Sequence, residues 1–152
     1  MPLSPVMEKI VLHWGEMGAR WGNVVQRGWP FLVASPVSDL SRVLGCAYAV
    51  QYRDRAAYAR TFEVSVYSAP TTLRQGAGLL MLGNLLHTLR GDGVREALAF
   101  IGDSANVASI GLHAKLGFRH VGLLQGVGEK FGRMLDVVVM QRSIPKASAA
   151  SA

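Results

Sequence analysis

The chain has 152 residues, half of them apolar, and a formal net charge of +6 at pH 7, which fits a single domain with a sizeable core. Its 16 Lys and Arg residues are spread without a dense basic run, so we expect anionic small molecules rather than nucleic acid as partners, although a solvated basic surface explains the charge as well. No window reaches the roughly 18 uninterrupted apolar residues of a membrane span and no signal peptide is visible, so we expect no membrane partner.

The first third of the chain reads as one helix followed by two strands. Apolar residues three and four apart predict a helix over 5–27, which Gly28-Trp29-Pro30 ends. A short strand over 31–34, a turn over 35–41 and a longer strand over 43–52 follow. The only cysteine, Cys46, lies in the longer strand and is expected to be a buried small hydrophobe. One cysteine cannot form an internal disulfide, which favours a reducing, cytoplasmic compartment.

The rest of the chain alternates strands and helices after a polar loop over 53–59. Strand 61–67 places Phe62 and Val64 on one face and Glu63, Ser65 and Tyr67 on the other. Helix 77–90 has the predicted apolar stripe Leu79, Leu82, Leu86 and Leu89. Then come strand 96–101, helix 106–116 and strands 119–125 and 134–141. This order predicts a mixed α/β sheet flanked by helices, with a disordered tail over 145–152.

A Gly-rich turn, Arg74-Gln75-Gly76-Ala77-Gly78, joins a strand to a helix. Its two glycines let backbone N–H groups converge on one point, and the helix N-terminus and Arg74 add positive charge. These features suit a pyrophosphate, although a plain turn explains the glycines equally well. The turn is not a Walker loop, since no Gly-Lys-Ser/Thr follows, and it does not match the dinucleotide fingerprint.

Glu63 is a carboxylate in the middle of an apolar strand. Burial there raises the pKa of a carboxyl group and makes the carboxylate a stronger base near neutral pH. The alternative is a structural salt bridge to a loop arginine, such as Arg55 or Arg60.

Asn106, Ser109 and His113 are spaced three and four apart, so the predicted helix presents them as one polar stripe, beside an apolar stripe that includes Leu112. Such a stripe is either a solvent face or a ligand-binding face. A histidine there is able to exchange a proton near pH 7. The four histidines and the cysteine show no metal-ligand spacing, so we predict no metal site.

These pieces, in this order, resemble the GNAT superfamily of N-acetyltransferases, and within it the phosphinothricin N-acetyltransferase-like family. The likeness covers about 16–142. Its motifs are Trp29-Pro30-Phe31-Leu32-Val33-Ala34, Gly45-Cys46-Ala47-Tyr48-Ala49, Tyr52-Arg53-Asp54-Arg55-Ala56-Ala57-Tyr58, Thr61-Phe62-Glu63-Val64-Ser65-Val66-Tyr67, the Gly-rich turn, Ile101-Gly102-Asp103-Ser104-Ala105-Asn106, His113-Ala114-Lys115-Leu116-Gly117-Phe118 and Gly128-Glu129-Lys130-Phe131-Gly132-Arg133-Met134-Leu135-Asp136-Val137-Val138. The resemblance implies a splayed sheet that holds acetyl-CoA as co-substrate.

The resemblance also implies a role for each candidate residue. Glu63 would be the general base, and His113 occupies the place of a tyrosine that protonates the departing thiolate in many members. Backbone groups of Val66, Tyr67 and Ser68, with Asn106 and Ser109, would bind the pantetheine arm. The pyrophosphate would lie on the turn Arg74, Gln75, Gly76, Ala77, Gly78 and Leu79. Tyr58, Lys130 and Arg133 would meet the acceptor substrate.

The sequence departs from the family pattern in two places. Leu73 stands where the family turn usually has Gln or Arg, so we expect weaker phosphate binding. Residues 1–15 do not resemble the strand and helix that usually precede the matching region, so we divide the chain into a divergent segment 1–15, an acetyltransferase domain 16–144 and a tail 145–152. The acceptor pocket is therefore less well supported than the cofactor half, and a second copy of the chain is one way to complete it.

We expect acetyl transfer to the amine of a small L-amino acid or analogue of the phosphinothricin or methionine sulfoximine type. Two alternatives remain open. One is an acetyl-CoA-binding protein without catalytic activity, and the other is an N-acetyltransferase that acts on proteins or peptides.

Overall fold

The computed structural model describes residues 10–13, 18–69 and 76–146. The elements along these residues are β1 (Ile10–His13), α1 (Gly18–Gln26), β2 (Phe31–Pro36), β3 (Gly45–Gln51), a 3-10 turn (Ala56–Tyr58), β4 (Thr61–Ser68), α2 (Ala77–Gly91), β5 (Glu96–Gly102), α3 (Val107–Lys115), β6 (Arg119–Lys130) and β7 (Arg133–Ser143). In this part of the chain seven strands form one sheet in the order β1-β2-β3-β4-β5-β7-β6. The predicted mixed sheet with helices is confirmed.

The N-terminal region differs from its prediction as a single helix over 5–27. Ile10–His13 is a strand, and the helix begins only at Gly18. β1 pairs antiparallel with β2, from Ile10 opposite Pro36 to His13 opposite Val33. The helical spacing of apolar residues gave the wrong period for this segment. Its four residues, Ile10–His13, are rich in β-branched side chains and pair with a neighbouring strand instead. A strand therefore lies within 1–15, the segment without a counterpart in the family pattern.

The chain divides into two compact units, and β3, β4 and α2 each contribute residues to both. The first unit contains the chain up to Tyr48 together with 66–85. In it β2 pairs antiparallel with β3. Its fully buried side chains include Phe31, Leu44, Met81, Leu82 and Leu85. Cys46 is also buried, as predicted for a small hydrophobe.

The second unit contains 49–65 and the chain from Leu86 onward. In it β4 pairs parallel with β5, from Thr61 opposite Glu96 to Val64 opposite Ala99, and β7 joins β5 to β6 by antiparallel pairing. One face of this part of the sheet is buried; it carries Phe62, Val64, Ala97, Ala99, Ile101, Val138 and Met140. The opposite face carries Glu63 and is half-buried, which confirms the predicted alternation along β4.

The buried sides of the two later helices differ from the predicted stripes. In α2, Leu82, Leu86 and Leu89 are buried as predicted, but Leu79 is 41% exposed in the first turn. In α3, His113 is buried, whereas Leu112, from the predicted apolar stripe, is only half-buried. Packing against neighbouring elements decides these faces, because helical spacing alone fixes which residues align but not which side turns inward.

Candidate active site

The carboxylate of Glu63 is the central feature of the second unit. Its side chain is half-buried on β4, opposite Leu98 of β5. Burial raises the pKa of this carboxyl group above its usual range, and the positive charge of Arg53 partly opposes that shift. Among the described residues Glu63 forms no salt bridge, so the alternative of a structural pair with Arg55 or Arg60 finds no support. A half-buried carboxylate with a raised pKa is suited to accept a proton near neutral pH.

An aromatic cluster lies on the same face of the sheet as Glu63. Cross-strand partners share a face, so Phe100, two residues beyond Leu98, lies on the side of Glu63. The ring of Tyr52 stacks on Phe100 with a centroid distance of 6.2 Å, and Tyr58 meets Tyr52 edge-on at 5.9 Å. Tyr58 is 39% exposed. The predicted position of Tyr58 beside an acceptor pocket stays a prediction, and this cluster is its structural setting.

The sequence reasoning missed Arg53 and Phe100 as site residues. The guanidinium of Arg53 lies 4.8 Å from the ring centroid of Tyr52, and its charge acts on Glu63. The backbone N–H of Tyr52 donates to the carbonyl of Thr61, which fixes the loop after β3 beside the start of β4. The usable signal was the strand period, because Phe100 belongs to the half-buried set of an alternating strand.

His113 is 3% exposed, with its ring edge-on to Phe118 at a centroid distance of 5.1 Å. Its Nδ1 lies 2.8 Å from the carbonyl oxygen of Ser109. A carbonyl only accepts, so Nδ1 carries the proton and Nε2 of the neutral ring carries none. Burial lowers the pKa of the imidazole, which favours that neutral form. His113 therefore holds no free proton for a thiolate at neutral pH, and we do not give it that role below.

We expect His113→Asn to flatten the pH dependence of stability. Burial lowers the folded pKa of His113, while the unfolded chain keeps a value of about 6.5. The unfolded state thus binds the proton more readily. The neutral, buried imidazole of His113 therefore stabilises the folded state fully above about pH 6.5. This contribution is lost as the pH falls through that value towards the folded pKa. Urea unfolding at pH 5 and pH 7.5 measures the difference for the wild type and the variant.

His87→Asn, at an exposed position of α2, is the matched control and should keep the wild-type pH dependence. In His113→Asn the amide nitrogen takes over the bond to Ser109, so the helix keeps its backbone contact. An identical loss of stability at pH 5 in wild type and His113→Asn would contradict the assignment.

Asn106 caps the N-terminus of α3. Its side-chain Oδ1 accepts a hydrogen bond from the backbone N–H of Ser109 at 3.2 Å. Hydrogen bonding within the helix therefore uses part of the predicted polar stripe. Its three residues also differ in exposure: Asn106 is exposed, Ser109 is half-buried and His113 is buried. The amide nitrogen of Asn106 stays available as a donor, so its predicted contact with pantetheine remains a prediction.

The first unit contains the backbone that the resemblance assigns to acetyl-CoA. Val66 and Ser68 are half-buried and Tyr67 is 51% exposed at the end of β4. Gly45 of β3 lies so close that a Cβ atom there would meet the carbonyl oxygen of Tyr67 and come within 2.8 Å of the Met81 methyl group. Only glycine allows this approach, which sets the position of Tyr67 and Ser68.

The start of α2 fits a pyrophosphate. Gly76 has a φ of +81°, and no atom lies within 4 Å of the position that its Cβ would take. Ala77 is buried, and the backbone N–H groups of the first helical turn have no partner within the helix. Arg74 and Gln75, predicted as phosphate contacts, lie outside the described residues, whereas Gly76, Ala77, Gly78 and Leu79 lie within them.

Lys130 and Arg133 lie far from Glu63 within one chain. Glu63 pairs with Leu98, which pairs with Gln141 of β7, and Arg133 begins β7 eight residues earlier. At 3.2–3.4 Å per strand residue this separation is about 25 Å along the sheet. A small molecule bound at Glu63 is therefore out of reach of these two cations of the same chain, because the tip of the long β6–β7 hairpin extends away from the row of Glu63. Their predicted contact with the acceptor substrate stays a prediction.

Comparison with known proteins decides the family. The model of the Acetyltransferase (GNAT) family matches residues 14–118. The chain belongs to the GNAT acetyltransferase family. It is 47% identical over 129 residues to a phosphinothricin N-acetyltransferase of Alcaligenes faecalis, covering 85% of this chain and 64% of that protein. It is 39% identical over 119 residues to an L-methionine sulfoximine/L-methionine sulfone acetyltransferase of Pseudomonas paraeruginosa, covering 78% of this chain and 67% of that protein.

A solved structure of this GNAT family superposes on the chain. The phosphinothricin acetyltransferase of Sinorhizobium meliloti, in complex with AcCoA, has a TM-score of 0.77 and 34% identity, and covers 88% of this chain and 70% of its own. The predicted GNAT-like fold is thereby confirmed. The chain spans less than two thirds of the Alcaligenes faecalis relative.

Two further expectations concern metal ions and membrane-spanning helices. Within 10–13, 18–69 and 76–146, no group of three or more His, Cys, Asp or Glu side chains is arranged to hold a metal ion. No helix in that part of the chain has the length and apolar character needed to cross a membrane.

Proposed function

We propose that this chain transfers an acetyl group from acetyl-CoA to the α-amine of a small L-amino acid or analogue. The observation that carries the proposal concerns Glu63. Its carboxylate is half-buried and forms no salt bridge among the described residues, and burial raises its pKa. It lies on the strand whose end, Val66–Ser68, the resemblance to the family assigns to the cofactor. The names of the relatives support phosphinothricin and methionine sulfoximine as the substrate class.

The residues present fit acetyl-CoA, which supplies the acetyl thioester when bound. Backbone groups of Val66, Tyr67 and Ser68 would hold the pantetheine arm, and their N–H groups would polarise a carbonyl oxygen. Gly76 and the first turn of α2 would hold the pyrophosphate, with Arg74 and Gln75 beside it. The free amide nitrogen of Asn106 would donate to a pantetheine carbonyl, and Ser109 stays a proposed neighbour.

Glu63 would act as general base. The amino acid arrives as an ammonium ion, and Glu63 accepts one proton from it, directly or through water, which leaves a nucleophilic amine. Arg53, whose charge already acts on Glu63, is the nearby cation suited to the substrate carboxylate. The rings of Tyr52, Tyr58 and Phe100 would border the substrate side chain.

Two measurements on the full chain test this proposal. Calorimetry with acetyl-CoA measures binding, and a thiol-release assay measures turnover with phosphinothricin, methionine sulfoximine, methionine sulfone and an alanine-initiated peptide. We expect binding, together with thiol release for at least one free amino acid analogue. Binding without release for any amine would support an acetyl-CoA-binding protein without activity, and release with the peptide alone would support a protein N-acetyltransferase.

A further inference from the structure

The loop that joins β3 to β4, residues 52–60, carries three side chains of the proposed acceptor site. They are Tyr52, Arg53 and Tyr58. Apart from the three-residue 3-10 turn Ala56–Tyr58 the loop contains no regular element, and residues 53–60 are exposed. Loops are more mobile than the strands they connect. These side chains therefore keep one arrangement only where a contact ties the loop to the sheet.

The last residue of β3, Gln51, makes such a tie through its side chain. Its amide Nε2 donates to the carbonyl oxygen of Arg53 at 2.7 Å and to that of Arg55 at 3.1 Å. Both partners are carbonyl oxygens, which only accept, so the amino end of the amide faces the loop. The amino group has two hydrogens, one for each carbonyl. One side chain at the end of a strand thus holds the loop at two points.

The same two carbonyls also accept hydrogen bonds from the backbone of the loop. The N–H of Arg55 donates to the carbonyl of Arg53 at 2.8 Å, and the N–H of Tyr58 donates to the carbonyl of Arg55 at 2.9 Å. A carbonyl oxygen has two lone pairs and is able to accept both bonds. Because each carbonyl belongs to a turn of the loop, Gln51 links both turns, and with them Tyr58, to the sheet.

The arrangement held in this way is the ring cluster around Tyr52. The guanidinium of Arg53 lies 4.8 Å from the centroid of the Tyr52 ring, and Tyr58 meets the same ring edge-on at 5.9 Å. Tyr52 in turn stacks on Phe100, on the face of the sheet that carries Glu63. An arginine side chain has many rotamers, so fixing its backbone and its ring contact removes freedom that ligand binding would otherwise have to remove.

We propose that Gln51 is a positioning residue for the acceptor amino acid: its two hydrogen bonds hold the 52–60 loop so that Arg53 stays on the ring of Tyr52, where its guanidinium meets the substrate carboxylate. This inference rests on the proposed acetyl transfer, in which Arg53 binds that carboxylate. Gln51 itself touches no substrate and acts through the loop. It should therefore affect KM for the amino acid more than the turnover number.

Limited digestion with trypsin tests the tie without any activity measurement. Trypsin cleaves after arginine, and the carbonyls at which it would cut this loop after Arg53 and Arg55 are the two that Gln51 holds. Gln51→Met keeps the length of the side chain but cannot donate. We expect it to accelerate cleavage after Arg55 about tenfold, since two neutral hydrogen bonds are lost. Cleavage after the exposed Arg42, before β3, should keep its wild-type rate, whereas a general loss of folding would accelerate both. An unchanged rate at Arg55 would overturn the proposal.

Steady-state kinetics with L-methionine sulfone at saturating acetyl-CoA tests the role in transfer. We expect Gln51→Met to raise KM about tenfold while kcat changes less than about twofold. Burial raises the pKa of Glu63 and the charge of Arg53 opposes that shift, so displacement of Arg53 should also move the rising limb of kcat/KM to higher pH. A residue that only stabilised the fold would move neither. Gln51→Asn, whose amide is one methylene too short to reach both carbonyls, is a second variant in which both changes should have the same sign.

Ser35→Ala is the matched control for the loss of a hydrogen bond. The hydroxyl of Ser35 also donates to a loop carbonyl, that of Leu40 at 3.3 Å, but in the turn between β2 and β3. The variant should therefore keep the wild-type KM and pH profile, together with the wild-type rate of cleavage after Arg55. Equal changes in Ser35→Ala and Gln51→Met would show a general effect on folding and would contradict the proposal.

A double-mutant cycle tests whether Gln51 acts through Arg53. In an Arg53→Met background, Gln51→Met should change KM less than about twofold, because the residue that it positions is already gone. An undiminished effect in that background, or a wild-type KM and pH profile in Gln51→Met alone, would contradict the proposal. If the wild type released no thiol, the proposed acetyl transfer would fail, and the trypsin rates would still decide whether Gln51 holds the loop.

Discussion

Replacing Glu63 by Gln should lower the turnover number by about 10²–10⁴-fold while leaving the affinity for acetyl-CoA nearly unchanged. Gln keeps the shape of the side chain but cannot accept the ammonium proton. The proposed cofactor contacts use backbone groups of other residues, so they should survive. Steady-state thiol release gives the turnover, and calorimetry on the same preparation gives the acetyl-CoA affinity.

Glu96→Gln is the matched control for that substitution. Glu96 is another half-buried carboxylate of the same sheet, but it accepts hydrogen bonds from Ser143 at 2.9 Å and from Gln141 at 3.0 Å. Because it is already satisfied, its replacement should leave turnover within a few-fold of the wild type. Equal turnover in Glu63→Gln and the wild type would remove Glu63 from the mechanism.

The pH profile gives an independent readout of the same base. Glu63 acts when deprotonated, so kcat/KM should rise as the pH increases through its pKa and then level off. Burial raises that pKa, so the rise should lie above the usual range of a glutamate. This limb should be absent from the residual activity of Glu63→Gln.

Gly45→Ala should destabilise the chain and weaken its affinity for acetyl-CoA. The new methyl group would clash with the carbonyl oxygen of Tyr67, lie 3.2 Å from the Cα of Ser68 and press on Met81. Backbone atoms cannot move aside as a flexible side chain does, so β4 must shift. Overpacking of this kind costs about 1–3 kcal/mol. The displaced segment is the one proposed to bind pantetheine, so calorimetry should show a higher Kd while thermal unfolding shows a lower Tm.

Gly83→Ala separates this clash from any general effect of replacing a glycine. Gly83 lies within α2, and no atom lies within 4 Å of the position of its Cβ. Alanine there should stabilise the helix by about 0.5–1 kcal/mol and leave acetyl-CoA binding unchanged. If Gly45→Ala kept both the Tm and the affinity of the wild type, the close approach of β3 to β4 would have no role in shaping the cofactor strand.

Local patterns predicted the parts of the fold and site that depend on a single element. The alternation of Phe62, Glu63 and Val64 follows from the strand period, and it placed the candidate base on the less buried face. The start of α2 followed from its glycines. Such features need no knowledge of neighbouring elements.

The features that the sequence could not predict depend on pairing between elements. Arg53 acts on Glu63 because the loop after β3 is bonded to the start of β4, a contact between segments eight or more residues apart. His113 turns inward, where its ring packs edge-on against Phe118, a residue of the segment after the helix. The register of β7 places Lys130 and Arg133 at the tip of the β6–β7 hairpin, far from Glu63, which spacing along the chain does not show.

The cap of α3 also fixes which end of one amide faces outward. The N–H of Ser109 can bond only to an oxygen, so the Oδ1 of Asn106 points into the helix and its amino group points away. The exposed half of this residue is thus a donor and not an acceptor. Any molecule that docks against it must present a lone pair, such as a carbonyl oxygen. Folding of the helix therefore fixes a hydrogen-bond donor at this position before a ligand arrives. That donor favours amide carbonyls over amide N–H groups.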